Sequence, residues 1–232
     1  MVGMRQRTDN IHPVPAAATP DLTGYRELHR ALLVSAERLT ERLGQPNQDR
    51  RSRRALEHWF AGYRGELAHH HHVEDHVFFP ALAQRVPSYH EYAATIDSDH
   101  IELDTLIERL GSAIHVVASG DESGDEPGVV ALGLAVALRD HLADHLAFEN
   151  EDILPMFERH LTIDEYGELE RRALQGVSLR QAWFTVPWYM STVDPNTART
   201  TWADAPLAMK LVHVLSRRSY ARLSAHALAV RS

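Results

Sequence analysis

Two histidine and glutamate pairs recur at one spacing, His70 with Glu74 and His145 with Glu149, and each glutamate is followed six residues later by a proline, Pro80 and Pro155. Residues four apart on a helix share a face, so each pair offers an imidazole and a carboxylate to the same point. A single histidine precedes each pair, His29 by 41 residues and His100 by 45, and the chain reads as a duplicated helical hairpin. Burying four imidazoles and two carboxylates without compensation costs several kcal/mol per ionised group, against a net stability of about 5–15 kcal/mol for a domain. A bound divalent metal removes that penalty. Imidazole suits iron, zinc, copper and nickel, and carboxylates able to bridge two ions favour a dinuclear site.

Composition narrows the choice. The 232 residues include 16 histidines and no cysteine, which excludes disulfides, thiolate zinc sites, cysteine-ligated iron–sulfur clusters and thiol nucleophiles. A net charge of -8 argues against nucleic acid or an anionic membrane as the main partner. The longest apolar run, Val129 to Leu138, is about half of what a bilayer-spanning helix needs. The polar N-terminus lacks a signal-peptide stretch, so a soluble cytoplasmic protein is expected.

The elements that must position these residues follow from apolar spacing. Residues 1–18 show no periodicity and read as a loosely held arm. Thr19 as N-cap with Pro20 opens a helix to Leu43 carrying Leu22, Tyr25, His29, Leu32, Ala36 and Leu39 on one seam. A second seam runs through Phe60, Tyr63, Leu67, His70, Glu74 and Val77, bent or ended near Pro80. A third carries Ile96, His100, Leu103, Ile107, Leu110 and Ile114, and a fourth Ala135, Leu138, Leu142, His145, Glu149 and Met156. An acidic glycine-rich loop, 119–128, separates these last two. The expected fold is all-α, an antiparallel four-helix bundle over 19–160. A helical extension over 161–232 follows, opening on a Thr162 to Glu165 capping box and continuing through helices at 178–192 and 206–230. Trp183, Trp188 and Trp202 in this extension read first as rings buried against the bundle, and second as a partner-binding or gating surface. At 1.5 Å per residue, His100 and His145 stand at matching heights, about 19 and 17 residues from their loop. Matching His29 with His70 requires the second helix to start near Arg54.

The run His69 to His72 spans about 300° of helix, so its members cannot all face inward. The apolar track assigns the ligand to His70, with His71 and Asp75 as the alternative pair. His141, one turn before His145, is an outer partner or an additional ligand, and Asp99 or Asp144 are candidate acceptors for ligating imidazoles. Tyr25 and Tyr63 lie one and two turns before His29 and His70. Each is either a packed core residue or a phenol that serves a bound oxygen species.

Taken together, His29, His70 with Glu74 ahead of Phe78-Phe79-Pro80, Asp99-His100, and His145 with Glu149 ahead of Ile153-Leu154-Pro155 resemble the hemerythrin-like, or HHE cation-binding, domains over roughly residues 19 to 160. The resemblance implies a non-haem di-iron centre. Its two ions would be bridged by Glu74, Glu149 and a solvent-derived oxygen, with His29, His70, His100 and His145 as terminal ligands. Oxygen-carrying relatives place a fifth histidine four residues after the third-helix histidine, where this chain has Asp104. Asp104 then either ligates or stands back and leaves a position to water or Tyr25. That departure shifts the expected activity from reversible O2 binding toward peroxide or NO chemistry. The competing reading is an oxygen or NO sensor, or an iron-holding module, whose extension relays its state to a protein partner. A ferritin-like oxidase is disfavoured, because only Glu66 to His69 fits its Glu-x-x-His motif well.

Overall fold

The computed structural model describes residues 19–45, 49–120 and 126–229, and every regular element among them is a helix. The arm at 1–18 and the centre of the acidic loop lie outside the described residues.

Helix α1, Thr23–Leu43, starts later than the Thr19 N-cap predicts. Leu22 is drawn into the core, and the Asp21 carboxylate accepts from the Thr23 backbone N–H at 2.9 Å. Helix α2, Arg50–Val73, opens on Asp49, whose side chain caps the Ser52 N–H, and so begins four residues ahead of Arg54. Neither proline ends its helix. The chain passes from α2 through a π turn, Glu74–Phe78, into α3, Phe79–Arg85. A 3-10 turn, Pro87–Tyr89, leads to α4, His90–Ser119, which ends at Gly120 in the left-handed region, φ 69°. Helix α5, Glu126–Phe148, repeats the device: a π turn, Glu149–Ile153, then α6, Leu154–His160. Proline lacks an N–H, and its ring clashes with the carbonyl four residues back. In both repeats the backbone bond instead spans five residues, from the Phe79 N–H to Glu74 O and from the Leu154 N–H to Glu149 O. The helix widens and continues, and each motif glutamate becomes the first residue of the wide turn.

The extension holds α7, Ile163–Ala173, with the expected capping box; α8, Leu179–Thr192; α9, Pro195–Asp204; and α10, Leu207–Ala227. Helix α9 is additional to the sequence reading. Its signal is Asp194 before Pro195, a cap whose carboxylate accepts from the Asn196 and Thr197 N–H groups.

Four long helices contact one another in a ring, α1 on α5, α5 on α4, α4 on α2 and, more lightly, α2 on α1. The extension lies along α2 through α8 and α10. Its fit is close: a Cβ at Gly62 would collide with the Phe184 ring, and one at Gly65 would meet Gln181 at 2.9 Å. Trp188 is fully buried and donates to Ser35 Oγ at 2.9 Å, while Trp59 of α2 donates to Tyr220 at 3.3 Å. Trp183 departs from the expected packing and is 44% exposed. Among the described residues no helix is long and apolar enough to cross a membrane.

The core divides into two clusters. One gathers Leu32, Leu67, Leu103 and Leu142 with Trp59, Tyr63, Trp188 and Tyr220; the other gathers Phe78, Phe79, Ile96, Ile153, Leu154, Phe157 and Tyr166. Those four leucines are each fully buried and stand three residues from His29, His70, His100 and His145 respectively. A leucine layer therefore lies against one side of the histidines and a mixed aromatic and aliphatic cluster against the other.

Candidate metal centre

Between these clusters the ring helices bring together His29 of α1, His70 and His71 of α2, His100 of α4, His145 of α5, and the leading glutamates of the two π turns, Glu74 and Glu149. All seven are buried. Their ligand atoms form two sets that share both carboxylates, one with His29 and His70 and the other with His100 and His145, each set lying within 4.8 Å. A third set joins His71 to His100 and His145.

The carboxylates divide their oxygens between the two sets. Glu74 turns Oε1 to His70 Nε2 at 3.3 Å and His29 Nε2 at 3.8 Å, and Oε2 to His100 Nε2 at 3.6 Å. Glu149 turns Oε2 to His29 Nε2 at 3.5 Å, and Oε1 to His145 Nε2 at 3.6 Å and His100 Nε2 at 3.9 Å. These spacings are too long for good hydrogen bonds. They suit donors gathered around a common ion, since two ligands each ~2.1 Å from one ion at a right angle stand about 3 Å apart.

The Nε2 atoms of His29, His70, His71, His100 and His145 are buried without a hydrogen-bond partner, as are Glu74 Oε2 and both Glu149 oxygens. Orphaned polar atoms on this scale are costly unless something unites them. Burial, then the neighbouring imidazoles, hold His70 well below the usual histidine range and push His145 down to about 2. Burial, then Glu74, raises the Glu149 carboxyl well above its ordinary range. At His100 burial opposes the charged ring, but the Asp75 hydrogen bond and Glu74 outweigh it and the pKa rises. Imidazoles with unpartnered inward nitrogens and two carboxylates form a nitrogen and oxygen donor set suited to iron.

The outer ring atoms orient these lone pairs. Nδ1 donates from His29 to Asn150 Oδ1 at 3.1 Å, from His71 to Asp104 Oδ1 at 3.0 Å, and from His100 to Asp75 Oδ1 at 2.9 Å. His145 Nδ1 faces Asp99 Oδ2 at 3.6 Å, and His141 lies beyond at 3.8 Å from the other Asp99 oxygen, outside the ligand sets. Fixing the outer nitrogen as donor leaves Nε2 free to ligate.

Six of the seven metal positions read from the sequence thus meet at one point, and Asp104 does not. Its side chain is 55% exposed and holds His71 from outside. His71, the alternative to His70, faces inward beside it, and both are buried. Successive residues on a helix point about 100° apart, so on α2, which touches both α1 and α4, one ring meets His29 and the next stacks on His100 at 4.3 Å. Of the two tyrosines, Tyr25 reaches the centre, donating to Glu74 Oε1 at 2.6 Å. Burial, then the charge of Glu74, raises its pKa well above the usual value. Tyr63 does not reach it: its hydroxyl donates to the Leu32 carbonyl at 3.0 Å and its ring stacks on Trp59. Asn150 is absent from the sequence reading, although its signal lies in the repeat, because it follows Glu149 as Asp75 follows Glu74.

Residues 22–157 match the family model of the hemerythrin HHE cation-binding domain. The chain belongs to that family. The match ends within α6, and helices α7 to α10 lie outside the matched residues. Searches of curated proteins and of solved structures returned no match. HHE domains bind metal cations, typically iron, and the orphaned donors of this chain lie inside the matched span.

Proposed function

We propose that this protein holds two iron ions between its shared glutamates and uses them on small oxidants, with removal of peroxide or NO ahead of simple O2 carriage. The observation that carries the reading is the division of each carboxylate, one oxygen toward His29 and one toward His100. His29 and His70 serve one ion, and His100 and His145 the other. His71 joins the second set, in the role the sequence reading offered to Asp104. When bound, such a pair supplies Lewis-acid and redox chemistry.

The chain's own residues do the rest. Glu74 and Glu149 hold the two sets in common. The leucine layer and the mixed aromatic and aliphatic cluster keep bulk water from the donors. Tyr25, kept protonated by burial and by Glu74, holds its one proton on Glu74 Oε1 beside the set with fewer histidines, where it orients that carboxylate and would have to turn from it to reach a small oxidant. Purified protein loaded with Fe(II) should contain two ions per chain and consume added peroxide, followed by metal analysis and UV-visible spectra. A content below one ion per chain overturns the dinuclear reading. Tyr25→Phe should keep the metal content and change the spectrum and the rate of peroxide loss; an unchanged spectrum and rate remove Tyr25 from the mechanism.

One observation favours the sensing alternative. Glu66, buried one helical turn before His70, accepts from Gln181 and Thr185 of α8, so the extension touches the helix that carries two of the ligands. A stable oxygenated band without turnover would support that reading.

A further inference from the structure

Outside the buried centre, the histidine run leaves residues that the ligand sets do not use. His69 is tied by its ring to the Ala173 backbone, against the extension. His72 and His76 are exposed on the solvent side of the turn whose inner side presents His70, His71 and Glu74. Their rings stack at 4.2 Å between centroids with 28° between planes. His76 Nδ1 donates to the His72 carbonyl oxygen at 2.9 Å. That bond places the proton of His76 on Nδ1 and leaves its Nε2 lone pair toward solvent, the arrangement second partners impose on ligating imidazoles. The neighbouring Asp75 carboxylate accepts its hydrogen bond from His100.

We propose that His72 and His76 form a second, surface site for a divalent transition-metal ion, distinct from the buried pair of sites. Two histidines four apart on one helical face are a recurrent chelating unit for such ions. Neutral imidazole prefers nickel, copper and zinc over magnesium or calcium. The ion would be held by both Nε2 atoms with water completing its shell, and no bond of the protein is made or broken. Its place, two residues either side of Glu74, suits capture of an ion bound for the centre, a role that rests on the iron reading above.

The test compares iron-loaded wild-type protein with His72→Gln/His76→Gln by equilibrium dialysis against Ni2+. Wild type should take up one more Ni2+ per chain than the double variant, and His58→Gln, an exposed histidine elsewhere on α2, should match wild type. Equal uptake by wild type and the double variant overturns the site, as does equal loss in His58→Gln. Because the buried ligands are identical in all three proteins, the difference reports the surface pair whatever the centre holds. Stopped-flow uptake of Fe(II) by metal-free protein tests capture: the double variant should load more slowly to the same final content, and equal rates remove that role. A low final content in both proteins counts against the buried centre instead. Circular dichroism of the variants should match wild type, since both side chains are exposed.

Discussion

The two hairpins present similar motifs and build different half-sites. Around His29 and His70 stand two imidazoles, the Tyr25 hydroxyl and a neutral amide, Asn150. Around His100 and His145 stand three imidazoles, counting His71, and each is backed by a carboxylate: Asp75, Asp99 or Asp104. Carboxylate partners raise the basicity of a ligating imidazole more than an amide does. The second half-site is therefore the more completely furnished, and the first is the one beside the Tyr25 hydroxyl. The partners also cross between repeats. The residue after each motif glutamate reaches the single histidine of the other hairpin, Asp75 to His100 and Asn150 to His29, so neither hairpin completes its own half.

The largest expected effect comes from removing what the halves share. Glu149→Leu should abolish dinuclear loading, measured as metal per chain, while raising the stability of the metal-free protein by about 1–3 kcal/mol, because a buried carboxylate with a raised pKa gives way to an apolar side chain. Loss of one ion only would mean that the halves are independent.

Acid should come next. In the metal-free protein His70 and His145 stay neutral where the unfolded chain would protonate near pH 6.5. At these two sites the unfolded state then binds more protons, so their contribution is full above about pH 6.5 and falls as pH drops below it; Glu149, His100 and Glu66, all with raised pKa values, contribute in the opposite sense. Thermal midpoints at pH 7 and pH 5 should therefore be compared with those of His145→Leu, which lacks one of the declining contributions and should lose less stability, or gain more, on acidification. An equal change in both proteins would contradict a buried neutral His145.

A smaller effect should separate the halves. His71→Leu should weaken binding at the second half-site and leave the first occupied, and Asp104→Ala should weaken it by about 10–100-fold, the usual cost of losing an outer partner. Competition with a chelator reads both, and unchanged affinity in both variants would leave the second half with two histidines like the first. Smallest of all, Asn150→Asp should make the first half resemble the second, shifting the iron absorption bands with metal content unchanged. No shift would mean that the partner's charge does not distinguish the halves.

Much of this was legible in the chain because helical spacing is local. The His-x3-Glu repeats, the four seams and the leucines three residues from each histidine follow from periodicity alone. Asp104 and His71 exchanged roles because spacing places a residue around a helix and not between helices. Only the packing of α2 between α1 and α4 lets adjacent histidines both face inward. Tyr25 and Tyr63 share the spacing that made them candidates, yet one meets Glu74 and the other a backbone carbonyl.

The sequence by itself determined the family, the all-α class and the residue types that meet at the centre, since these depend on side-chain chemistry and a 3.6-residue period. Tertiary structure decided which oxygen of each glutamate faces which histidines, which outer partner holds each ring, and that α8 lies on Glu66. Those outcomes depend on distances between segments some 25 to 121 residues apart in the chain, which packing alone sets.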